Sequence, residues 1–82
     1  MNLKLYEQVA LRRDVPEEGL KAGDVGTLVD LVPGRPGRGE GAVIEVFNAL
    51  GKTVCVTAVG VEDVEPVHED EVLSVRRLAR VG

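Results

Sequence analysis

The 82 residues, 44% hydrophobic and 29% charged, suit one folded domain spanning 1–82 and argue against a second core or a disordered composition. A formal charge of −4 opposes nonspecific attraction to nucleic acid or anionic lipid, both of which need excess positive charge. No apolar run approaches the roughly 20 residues of a membrane span, Met1 to Tyr6 holds no signal-like stretch, and the lone cysteine, Cys55, permits no internal disulfide, so a cytoplasmic protein is expected.

Valine dominates the apolar set and Tyr6 and Phe47 are the only aromatics, which predicts an aliphatic core built from strands. Tyr6 to Leu11 reads as a first strand, with Val9 and Leu11 on one face and Gln8 and Ala10 on the other. Arg12 to Gly23 follows as a long ordered loop broken by Pro16, Gly19 and Gly23, with Leu20 as an apolar anchor folded back on the core. Asp24 to Leu31 resumes alternation: Val25, Thr27, Val29 and Leu31 share one face, Gly26, Leu28 and Asp30 the other. Gly26 suggests a bulge or a sharp bend.

Residues 32–41 are dense in Gly and Pro and read as a mobile loop carrying Arg35 and Arg38. Ala42 to Phe47 gives a third strand with Ala42, Ile44 and Val46 inward and Val43, Glu45 and Phe47 outward. Asn48 to Gly51 is a compact turn in which Gly51 suits a positive φ, and Lys52 to Val59 completes a hairpin. In that fourth strand Val54, Val56 and Ala58 face one way and Thr53, Cys55 and Thr57 the other. Gly60 to Pro66 suits a turn of 3₁₀ helix joining two strands. Residues 71–81 fit either a helix, through Val72, Val75 and Leu78, or a strand. The strand is favoured because a fifth strand would cover an open edge.

The order of strands, loops and one-turn connector matches an SH3-like barrel: all-β and five-stranded, with a 3₁₀ turn before the last strand. The stretch Leu20-Lys21-Ala22-Gly23-Asp24-Val25-Gly26-Thr27-Leu28-Val29 resembles the second-strand motif of bacterial members of that fold, such as nitrile hydratase β subunits and small subunits of photosynthetic electron-transfer complexes. Leu5-Tyr6-Glu7-Gln8-Val9-Ala10-Leu11, Pro16-Glu17-Glu18-Gly19-Leu20, Gly23-Asp24-Val25-Gly26-Thr27 and Gly51-Lys52-Thr53 together resemble a family of short bacterial proteins filed as a domain of unknown function. That similarity covers about residues 3 to 66. It implies the barrel, transfers no functional residues, and leaves an antitoxin-like partner role among the options. The longer Pro/Gly/Arg loop departs from the family's usual pattern.

The residues that could carry chemistry do not assemble into a site. His68 sits beside Glu69 and Asp70, with no second His or nearby Cys at ligand spacing. Cys55 lies between Val54 and Val56, where a small apolar residue packs well, and His68 is the only imidazole to serve it as a base. The acids from Glu62 to Glu71 lack EF-hand spacing and its central glycine. Gly-Asp-Val-Gly-Thr is no phosphate loop, because no Gly-x-x-x-x-Gly-Lys-Ser/Thr is present and no helix follows to supply an anion-binding terminus. The expectation is therefore a nonenzymatic protein without cofactor or metal that binds another protein, as an interaction module or small accessory subunit. Its candidate contacts are Arg35, Arg38, Tyr6 and Phe47, and a homodimer is compatible with an open strand edge. The competing reading is a nucleic-acid-binding barrel of ribosomal or transcription-factor type. It needs the basic patches of Arg12 with Arg13, Arg35 with Arg38, and Arg76, Arg77 and Arg80 to converge against the negative net charge.

Overall fold

The computed structural model describes residues 3–34, 37 and 39–78. Alternating apolar residues give five strands: β1 (Gln8–Leu11), β2 (Val25–Val32), β3 (Gly41–Phe47), β4 (Thr53–Gly60) and β5 (Val64–Pro66). Turns of 3₁₀ helix at Pro16–Glu18 and Val61–Asp63 are the only helical segments among the described residues. All pairings are antiparallel in one sheet of order β4-β3-β2-β1-β5, which is the five-stranded SH3-like barrel. β1 to β4 form a meander, and the last strand crosses back to cover the free edge of β1.

The core follows from the register. Gly26 and Leu28 pair with Val46 and Ile44, which pair in turn with Cys55 and Thr57, so one continuous face points inward. Val9, Leu11, Leu28, Ala42, Ile44, Val46, Val59 and Val64 are buried there. The loop after β1 adds Val15 and Leu20, joined by an isolated bridge, so Leu20 anchors the loop as its apolar character required. The core is wholly aliphatic, and among the described residues no polar or charged side chain is buried.

Four sequence expectations need correction. The ladder shifts between Leu28 and Asp30, so the bulge falls at Val29 and not at Gly26. It turns Leu31 inward, where it packs on the core, away from the face of Val25 and Thr27. The predicted 32–41 loop loses both ends, because Val32 pairs with Gly41. On β4 a register shift skips Val54 and sets Thr53 opposite Phe47, off the inner face of Cys55, Thr57 and Val59, which Val46, Ile44 and Ala42 draw inward.

The fourth correction concerns the C-terminal stretch. The fifth strand is Val64–Pro66, at the end of the segment whose expected 3₁₀ turn is Val61–Asp63; residues 71–78 are neither strand nor helix, and 79–81 lie outside the described residues. Pro66, which pairs with Val9, has no amide hydrogen to continue the ladder. A turn follows, in which the Glu71 amide donates to the His68 carbonyl at 3.0 Å and the Glu71 carboxylate accepts from the His68 amide at 2.6 Å.

Candidate functional site

Tyr6 is the most unusual residue of the fold. A turn from Lys4 to Glu7 is closed by the Glu7 amide donating to the Lys4 carbonyl at 3.3 Å, and it places Tyr6 at φ 68. Among the described residues no other residue than glycine has a positive φ. The left-handed region costs a residue with a Cβ about 1–2 kcal/mol. The turn is held in place from β2: the Tyr6 amide donates to the Leu28 carbonyl at 2.6 Å, and the Leu28 amide donates to the Glu7 carbonyl at 2.9 Å. The fold thus fixes the backbone at Tyr6 and leaves its side chain 74% exposed, beside a half-exposed Leu5.

Phe47, at the end of β3, is 40% exposed on the outer face. Register keeps it away from Tyr6. Tyr6 bonds to Leu28 on the β1 side of β2, whereas Phe47 follows Val46, the partner of Gly26 on the β3 side. The two aromatics lie on opposite flanks of β2 and do not form one patch. Arg35 and Arg38 lie outside the described residues.

Phe47 instead borders the outer face of β4, where Val56 is 57% exposed and Ala58 is exposed. The hairpin below them is set by Asn48, whose Oδ1 accepts the Leu50 and Lys52 amides, both at 3.0 Å. Gly51 takes φ 83, as the turn required. Glu45 accepts the Thr53 hydroxyl at 2.7 Å across the strands, so the one acid on this face is already bonded.

Sequence reading missed the one strong polar contact. Asp24, the second residue of the Gly-Asp-Val-Gly-Thr stretch, accepts the Lys21 amide at 2.8 Å. It also receives the Arg76 guanidinium through both carboxylate oxygens, Nε at 2.9 Å from Oδ1 and Nη2 on Oδ2, while Nη2 reaches the Gly19 carbonyl at 3.3 Å. Burial pushes the Asp24 carboxyl up, but the hydrogen bonds from Arg76 and Lys21 and their charges outweigh it, holding it below the ordinary 3.8. Arg76 is held above its own usual value, chiefly by the same hydrogen bond. The pair clamps the C-terminal segment to the loop before β2. Beneath it runs a shallow cleft of about 370 Å³, lined by Ala10, Val25, Glu65, Val67 and Leu73 among others.

The other candidates stay apart. Cys55 is half-buried against the core, and burial together with the charge of Glu18 pushes its thiol up, the opposite of nucleophile activation. His68 is in the exposed turn closed by Glu71. Among the described residues no group of His, Cys, Asp and Glu could hold a metal ion, and no helix is long and apolar enough to cross a membrane. Arg13 is 3.2 Å from Asp63, so it and Arg76 are both engaged by acids of their own chain.

Fold and surface define a small SH3-like barrel whose unusual features are an exposed aromatic turn, an open apolar edge and a clamped tail. The chain belongs to the family Domain of unknown function (DUF4926), whose model matches residues 5–66. The match runs from Leu5, within the Tyr6 turn, to Pro66, the last residue of β5, and leaves the clamped segment outside. No curated protein and no solved structure matches the chain.

Proposed function

We propose that this protein is a noncatalytic, cytoplasmic protein-interaction module that offers the Tyr6 turn to a protein partner. The observation that carries this reading is the combination of a left-handed backbone and an exposed ring at Tyr6. Strain held by the surrounding structure is typical of sites that touch something, and tyrosine is a common anchor at protein interfaces. Nothing in the barrel's own packing needs a ring there, since the core is complete without an aromatic. A small accessory subunit and an antitoxin-like partner both fit this role. Nucleic acid is the weaker partner, because Arg13 and Arg76 already face Asp63 and Asp24.

The test uses immobilised protein against native lysate, comparing wild type with Tyr6→Gly. Glycine adopts the turn's backbone freely, so the variant keeps the fold and loses only the ring. A protein retained by wild type and lost by Tyr6→Gly supports the reading. Equal retention by both, or by neither, contradicts it.

A further inference from the structure

We infer that two copies of this chain pair through β4, edge to edge and antiparallel, about a two-fold axis. β4 is the outer strand of the sheet, and it hydrogen-bonds through its backbone to β3 alone among the described residues. Exposed edges are commonly blunted with lysine, proline or inward-pointing charge. Thr53-Val54-Cys55-Val56-Thr57-Ala58-Val59-Gly60 has none of these in eight residues, and its single irregularity, at Val54, leaves Cys55 to Gly60 regularly paired. Val56 stands 57% exposed at the middle of that row. The other edge, β5, has only three residues.

The occupant is a second copy because the strand complements itself. An uncharged strand meets no like charge when it pairs with its twin, and two-fold pairing centred on Thr57 sets Thr57 against its own copy and Val56 against Ala58. Antiparallel pairing also brings the Lys52 end of one copy beside the Glu62 end of the other, twice over. Both side chains are exposed and neither is in an ion pair among the described residues. At its Gly60 end β4 borders a cleft shared with Arg13, Val15 and Glu17, so the contact centres on Cys55 to Ala58. This surface is separate from Tyr6, which lies across β2 on the β1 side.

Light scattering on the full chain at physiological salt, where repulsion between chains of charge −4 is screened, is expected to give twice the chain mass. Val56→Lys should give a monomer with an unchanged β spectrum, since that side chain points outward. Val72→Lys, on the 94% exposed tail position, should stay dimeric. Lys52→Glu should weaken the dimer several-fold, and Lys52→Glu with Glu62→Lys should restore it. A monomeric wild type, a dimer that survives Val56→Lys or a dimer lost in Val72→Lys would overturn the pairing. A double charge swap that restores nothing would overturn its antiparallel sense. Tyr6→Gly should remain dimeric, so loss of partner capture and loss of the dimer are read separately.

Discussion

Gly26 and Tyr6 depart from ordinary backbone requirements in opposite directions. Gly26 is buried where β2 crosses β3, and a Cβ there would stand 2.9 Å from the Glu45 carbonyl oxygen and 3.2 Å from Val46 Cγ2. The nearer atom is backbone within a ladder, so it cannot swing aside as a flexible side chain would. Gly26→Ala is therefore expected to lower stability by about 1–3 kcal/mol, read as a lower urea midpoint with unchanged slope. The glycine stood out in sequence as a break in an alternating strand, read as a bulge or a sharp bend. The bulge lies at Val29, and Gly26 is needed for close approach of the neighbouring strand. Tyr6 was legible as one of two aromatics near an outward face. Its left-handed backbone was not, because the hydrogen bonds that impose it come from Leu28, in another strand.

Among the elements, the segment after β5 departs furthest from expectation. Its apolar residues fitted strand or helix spacing, yet Val72 and Val75 are almost fully exposed and Arg76 holds the segment to Asp24. Local periodicity cannot register a contact between residues 52 positions apart. The clamp has a pH signature. Because the Asp24 carboxyl is held below 3.8 in the folded protein, its contribution is present above the unfolded value and is lost as pH falls through the lower folded one. Asp24→Asn mimics the protonated side chain, so its stability deficit against wild type should be full at neutral pH and shrink in acid below 3.8, as urea melts across that range would show. A deficit that persists or grows in acid would exclude the clamp. The hairpin elements read more faithfully: β3 kept its predicted inward residues because Ala42, Ile44 and Val46 alternate strictly. β4 was ambiguous because both its faces are apolar enough to be buried, and only its pairing with β3 decided between them.

At the scale of the whole molecule, the first four strands and the aliphatic core were readable, because period-two patterning and turn residues are local signals. The place of the fifth strand was not. Val64–Pro66 is three residues long, too short to show alternation, and it is recognisable as a strand only beside Val9 to Leu11. The family match ends with that strand, so the matched span contains all five strands and Tyr6 itself, while the Asp24–Arg76 clamp joins it to a segment outside the match. The molecule thus carries a turn held under strain on one flank of β2 and an uncharged open edge at the other end of the sheet. The central claim is that the first of these meets a protein partner. The most direct measurement is the amide spectrum of isotope-labelled protein titrated with a partner captured by wild type. Shifts concentrated at Lys4 to Gln8 and at Leu28, across the hydrogen bonds that hold the turn, are the predicted result. Shifts that leave those amides in place while moving others would contradict it.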